Sequence, residues 1–109
     1  MGSQKQIKMT NMNLAAILEI FECAYKNKFK SGETKKSYYC GITNDLERRA
    51  EEHNATFIVN LQMNSFEEAK IVEKALHAKG YCTGKQLGNG DEDTVYVYMY
   101  KIIPGVTKE

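Results

Sequence analysis

Between Tyr38 and His53 the chain reads Tyr-Tyr-Cys-Gly-Ile-Thr-Asn-Asp-Leu-Glu-Arg-Arg-Ala-Glu-Glu-His, a strand, a glycine turn and a helix in succession. The stretch delivers a tyrosine, an arginine and a histidine to one neighbourhood. On a helical wheel of about 100° per residue, Leu46, Ala50 and His53 cluster on one side, with Arg49 at the edge of the cluster. Arg48 falls on the opposite, charged side with Glu47 and Glu51. Arg49 and His53, four residues apart, therefore share a face aimed at the sheet, while Arg48 is expected to be solvated. Arg49 in that place either runs along the core edge with its head in water, pairs with a core carboxylate, or works on a substrate.

A carboxylate stands in the matching position on the next helix. Phe66, Ala69, Val72 and Leu76 define its apolar stripe, and Glu73 falls inside the same angular range. A buried carboxylate is costly unless a cation, a metal or hydrogen bonds meet it. Glu73 is thus either half of a structural ion pair, with Arg49 as one partner, or part of a site in which charges face each other from two helices.

Several elements must position these residues. Ile17 to Tyr25 is rich in β-branched and aromatic residues with partial alternation and is expected as a first strand, with a helix as the competitor. Residues 26–37, with Gly32 and five lysines, then have the composition of a long hairpin connection. Ser37 to Ile42 is the expected second strand. Asn44 with Glu47 opens a helix from Asp45 to Asn54 in the manner of a capping box, in which side chains satisfy the orphan amides of the first turn. Thr56 to Met63 is a further strand, and Ser65 with Glu68 opens a second helix through Lys79, ended by Gly80. After a glycine-rich loop, Val95, Val97 and Met99 alternate with Tyr96, Tyr98 and Tyr100 in a last strand over 94–101. The expected fold is α+β: a small mixed, mainly antiparallel sheet of three to four strands flanked by helices. Residues 1–13 are a polar arm and 14–109 a single domain. The alternating tyrosines suit a cross-strand aromatic ladder, with base stacking as the less common use of such a row.

Composition narrows the function classes. The 109 residues suit one domain, able to bury about 65% of the surface its unfolded chain exposes. No apolar run approaches the roughly 20 residues of a membrane span, and no secretory signal stands at the start, so an intracellular, cytoplasmic protein without membrane attachment is expected. A net charge of +1 excludes wrapping of nucleic acid by bulk electrostatics but not a local contact. Cys23, Cys40 and Cys82 are spaced for neither a disulfide framework nor a zinc site, and the spacing from Gly80 to Lys85 does not make a phosphate-binding P-loop.

The run from Tyr39 to His53 resembles the second half of the GIY-YIG endonuclease signature, in which Tyr-x-Gly is followed by an arginine and often a histidine. Tyr39, Arg49 and His53 meet those intervals of ten and fourteen residues. Glu68-Ala69-Lys70-Ile71-Val72-Glu73 is similar to the family's later helix, whose single glutamate binds metal, and the carry-over lands on Glu73. Cys23-Ala24-Tyr25 falls in the Gly-Ile-Tyr place, which makes Tyr25 a substrate-binding candidate. Asn89 is the matching candidate for an asparagine that lines the family's site, although Gly88-Asn89-Gly90 also reads simply as a turn.

The resemblance implies a metal-dependent endonuclease that hydrolyses DNA phosphodiester bonds. Glu73 would hold one Mg²⁺ or Mn²⁺ against the scissile phosphate, Arg49 would stabilise charge on the transferring phosphoryl group, and Tyr39 would act as general base. His53 would orient Tyr39 or the water. The alternative is a nucleic-acid or protein binding module that keeps the fold with little turnover. Monomer and weak dimer are both open.

Overall fold

The computed structural model describes residues 13–85 and 87–109. The expected N-terminal arm, residues 1–13, lies outside these apart from Asn13, which caps the first helix.

That helix, α1 (Leu14–Lys28), occupies the stretch expected as the first strand. The Asn13 side chain accepts the Ala16 amide at 3.1 Å, and Leu14, Ile17, Leu18, Phe21, Ala24 and Tyr25 recur at the three- and four-residue spacing of one helical face. A window opened at Ile17 hides this period because Ile20 and Cys23, exposed on the other face, look like strand residues. Of residues 26–37, 26–28 are the end of this helix and 29–37 connect it to a strand; they are not a hairpin. A 3₁₀ turn, Lys35–Ser37, is capped by Thr34 and leads into β1 (Tyr38–Thr43).

Helix α2 (Leu46–His53) follows. Its N-cap is Asp45, whose carboxylate accepts the Arg48 amide at 3.0 Å; the expected cap, Asn44, instead accepts from the Arg48 guanidinium at 2.9 Å. The helix closes on Asn54, which takes the left-handed conformation (φ 51°). After β2 (Val59–Gln62) comes α3 (Phe66–Ala78), opened by Ser65, whose hydroxyl accepts the Glu68 amide at 3.1 Å. Gly80 ends that region with φ 107°, as its sequence position predicts. The two-residue β3 (Cys82–Thr83) is too short to leave a pattern in the sequence, and β4 (Tyr96–Lys101) completes the chain's elements.

The sheet has the order β2-β4-β1-β3. Strands β1 and β4 run antiparallel in the centre, β2 adds antiparallel to β4, and β3 lies parallel to β1. A small mixed, mainly antiparallel sheet with helices is thus the observed α+β fold. Strand alternation then sorts the side chains into two layers. Tyr38, Cys40, Val97 and Met99 pack with Ile17 and Phe21 of α1 and with Ala69, Val72 and Leu76 of α3. Tyr39, Tyr98 and Tyr100 lie on the opposite face with Leu46, Phe57 and Ile102. Tyr38, adjacent to Tyr39, donates from its hydroxyl to Glu33 and belongs wholly to the first layer. No helix of the described residues is long and apolar enough to cross a membrane.

Candidate active site

The second layer brings together Tyr39 and His53, with Arg49 at its edge. Tyr39 and His53 approach with ring centroids 5.0 Å apart, Tyr39 and Tyr100 stack at 5.1 Å, and Phe57 stacks on Tyr98 at 4.3 Å. Tyr98 and Tyr100 of β4 therefore form an internal aromatic ladder with Tyr39; they are buried and do not offer their faces to bases. Tyr98 reaches its place because Gly41 faces it across the strand pair: a Cβ at Gly41 would meet the Tyr98 hydroxyl oxygen at 2.4 Å. The Tyr39 hydroxyl is similarly admitted by Gly84, whose added Cβ would lie 3.1 Å from it.

His53, only 1% exposed, is held from both ring nitrogens. Its Nε2 lies 2.8 Å from the Tyr98 hydroxyl, and its Nδ1 meets the Lys108 carbonyl oxygen, with the Tyr100 hydroxyl 3.0 Å away. Burial pushes its pKa down, opposed by the Lys108 carbonyl and assisted by the positive charge of Arg49. Neutral imidazole is the resting form.

Arg49 sits between this layer and solvent. Its guanidinium donates to Glu52 at 2.8 Å and also bonds to Tyr98, and its charge acts on Tyr39. Burial drives the Tyr39 phenol pKa up and Arg49 pulls it back, with a net rise. The Tyr98 phenol is raised too, again chiefly by burial. Arg48, expected on the solvated side, is more exposed than Arg49, with 50% of its side-chain surface free against 33%, yet it shares Glu52 at 3.4 Å. Both arginines line a polar cavity of about 220 Å³ with Asn44, Glu52, Asn89 and Thr94. A larger cavity of about 510 Å³ lies elsewhere along α2, beside Ala50, Asn54 and Val106, and includes none of the expected site residues.

Glu73 is 5% exposed on α3, so the carboxylate does occupy the apolar stripe. Arg49 is not its partner. One carboxylate oxygen accepts the Gly88 amide at 2.8 Å; the other has no donor among the described residues. Burial raises the Glu73 pKa, while the Gly88 amide and the charges of His77 and Lys74 act in the opposite direction. The negative charge of Glu73 is felt at both Tyr39 and Tyr98, although it lies on the helix of the first layer. Among the described residues no group of three or more His, Cys, Asp or Glu side chains is placed to hold a metal ion. One carboxylate with an unsatisfied oxygen does fit Mg²⁺, which keeps several of its waters and is commonly held by one or two carboxylates plus substrate phosphate.

The two remaining candidates fare differently. Asn89 is exposed and lines the cavity beside Arg49, one residue beyond the amide that binds Glu73. Tyr25 is in the wrong layer: on α1 it packs against Phe29, Tyr38 and Tyr81 at 5.0, 5.2 and 5.8 Å, because the stretch around it is helix and its side chain follows the helical core face. It does not join the layer of Tyr39, His53 and Arg49. The contact of Tyr98 with His53 Nε2 is not legible in the tyrosine alternation; the glycine facing Tyr98 across the strand pair is its sequence signal. His77, five residues before Cys82, contacts Thr83 at 2.8 Å, and the three cysteines form no disulfide.

Comparison with protein-family models, with curated proteins and with solved structures finds no match to the chain.

Proposed function

We propose that this chain is a metal-dependent endonuclease of the GIY-YIG type that hydrolyses DNA phosphodiester bonds. The observation that carries the reading is the convergence on one sheet face of Tyr39, His53 and Arg49, with Arg49 opening into a polar cavity and the charge of Glu73 reaching the same tyrosines. The antiparallel neighbour of β1 is β4, which places Tyr98 opposite Gly41 and beside Tyr39 on the same face.

The chemistry follows from the residues. Arg49, at the cavity wall and always protonated, is suited to bind a phosphate oxygen and to stabilise negative charge as it builds on the phosphoryl group. A tyrosine is a poor base at rest, because an ordinary phenol near pKa 10 is about 0.1% ionised at neutral pH and burial makes matters worse. Tyr98 has somewhere to send its proton, because the Nε2 of neutral His53 accepts its hydroxyl hydrogen; as Tyr98 is only 1% exposed, taking a proton from water requires water to be admitted beside Arg49. Tyr39, under the same guanidinium and without such an acceptor among the described residues, orients the water or the phosphate. Glu73 would hold Mg²⁺ or Mn²⁺, which when bound supplies Lewis-acid stabilisation of the leaving oxygen, and Asn89 would contact the substrate at the cavity beside Arg49. DNA is the partner in this reading, touched locally because the net charge of +1 provides no general attraction.

Incubation of supercoiled plasmid with the protein and Mg²⁺, repeated with Glu73→Ala, tests the reading. Metal-dependent nicking by the native chain and none by the variant supports it; equal nicking by both, or none by either across metals and substrates, overturns it. The raised phenol pKa values of Tyr39 and Tyr98 favour a second reading, a binding module with little turnover, which predicts salt-dependent DNA binding undiminished in Glu73→Ala and no cleavage.

A further inference from the structure

Beyond β4 the chain turns and comes back across the end of α2. Thr107 and Val106 amides donate to the Ile103 carbonyl at 3.0 and 2.9 Å, closing the turn. The Ile103 amide donates to the Thr107 hydroxyl at 3.0 Å. The returning strap is then tied to the last residues of α2 by three contacts. The Asn54 side-chain amide donates to the Val106 carbonyl at 3.0 Å, the Lys108 amide donates to the His53 carbonyl at 2.6 Å, and the Lys108 carbonyl meets His53 Nδ1. One backbone unit thus grips both the main chain and the ring of His53.

The last contact has a chemical consequence. A carbonyl oxygen only accepts, so Nδ1 must carry the hydrogen. In neutral imidazole Nε2 is then bare and can only accept, and the group 2.8 Å from it is the Tyr98 hydroxyl, which must donate. Tyr98 is left with its lone pairs toward Arg49. The Tyr100 hydroxyl lies 3.0 Å from the same Nδ1; with the Nδ1 hydrogen set by the Lys108 carbonyl contact it cannot donate there, and it donates to the Lys108 carbonyl at 3.3 Å.

We propose that the backbone of Lys108 is a positioning group, which locks His53 as the Nδ1–H tautomer and thereby makes Nε2 the proton acceptor for Tyr98. The side chain of Lys108 takes no part. The value of the lock to catalysis rests on the endonuclease reading; the lock itself does not. Without it imidazole in water favours the Nε2–H form, in which Nε2 would donate to Tyr98 and the tyrosine could no longer pass its proton on. An analogous tautomer-setting role belongs to the partners that orient histidines in other sites.

The test is the ¹⁵N spectrum of the histidine side chains, recorded above the histidine titration range, where long-range couplings report which nitrogen carries hydrogen. His53 and His77 are the two histidines, so His77→Gln assigns the signals. The full chain is expected to show His53 with hydrogen on Nδ1. Ending the chain at Thr107 should move it to a mixture rich in Nε2–H, whereas Lys108→Ala, which keeps the carbonyl, and Tyr98→Phe, which removes the donor at Nε2, should leave Nδ1–H in place. An Nε2–H ring in the full chain, or an unaltered ring in the folded shortened chain, overturns the proposal. Should the shortened chain not fold, Tyr98→Phe decides: a switch of tautomer there shows that Tyr98, not Lys108, sets the ring. If the native chain nicks plasmid, the shortened chain should lose about 100-fold in kcat with KM little changed, the scale of a lost general base. A locked tautomer in a chain that never cleaves DNA would refute the endonuclease reading and leave the lock standing.

Discussion

Gly41 and Tyr98 face each other across the central strand pair so closely that a Cβ on Gly41 would stand 2.4 Å from the tyrosine hydroxyl and 2.7 Å from its ring. Nothing about the backbone of Gly41 demands glycine, since its φ is not positive. Space for the phenol is the reason. Gly41→Ala should therefore push Tyr98 off His53 and cost about 1–3 kcal/mol of stability, the scale of overpacking a filled core. Chemical denaturation measures the loss, and the Tyr98 to His53 contact should be missing from the variant's crystal structure. Unchanged stability with the contact intact would refute the steric account.

Glu73 has a folded pKa above its ordinary value, and burial is the main cause. The folded chain therefore holds the Glu73 proton more tightly than the unfolded chain does. The resulting stability is full below the ordinary carboxylate pKa and is lost as pH rises through the raised folded value. Glu73→Gln has no such titration and can still accept the Gly88 amide through its carbonyl oxygen. Its stability relative to the native chain should increase over that pH interval while any nicking activity disappears. Unfolding curves of the two proteins across pH check the first part, and a plasmid assay the second.

The pH dependence from His53 has the opposite sign. Its folded pKa lies below the ordinary 6.5, mainly through burial, so below that value the unfolded chain binds more protons than the folded one. Stability from this group is present above 6.5 and is lost as pH falls through the lowered folded value. His53→Gln should flatten that slope in unfolding midpoints. In the endonuclease reading the acid limb of kcat/KM should share the same depressed pKa, because protonated Nε2 cannot accept from Tyr98.

Arg48 and Arg49 hold the same glutamate but should not be equivalent. Only Arg49 acts on Tyr39 and Tyr98. Removing Arg49 should lower the cleavage rate by about 10²–10³, as loss of one charge-stabilising donor does, and Lys in its place should restore little of it because a point charge lacks the planar fork. Arg48→Ala should change stability by under about 0.5 kcal/mol and cleavage by only a few-fold. Comparable losses in kcat from both variants would place the phosphate elsewhere in the cavity.

How far these features were readable from the chain differs by element. Helix α3 was legible to its ends, because Ser65, Glu68 and the Phe66, Ala69, Val72, Leu76 stripe are local signals within one helix. Strand β1 fell within one residue of the expected 37–42, and β4 was equally clear from its alternation. Helix α1 was not, because its period emerges only when Leu14 is included with Ile17 and Phe21. Strand β3 has two residues and exists only by pairing with Tyr39 and Cys40, more than forty positions away. Tyr25 was misplaced along with the helix that carries it.

The candidate site divides in the same manner. By itself the sequence determined that Arg49 and His53 turn inward while Arg48 turns out, and that Glu73 lies on an apolar face, since helical period decides direction within a single element. Only the tertiary structure decided who meets them. It paired Arg49 with Glu52 and Glu73 with the Gly88 amide, where an Arg49–Glu73 bridge was equally open to the sequence. It also set Tyr98 and the Lys108 carbonyl on the two nitrogens of His53, which lie 45 and 55 residues distant in the chain. Such contacts depend on strand order and on the path of the returning strap, and those are settled by packing of the whole domain.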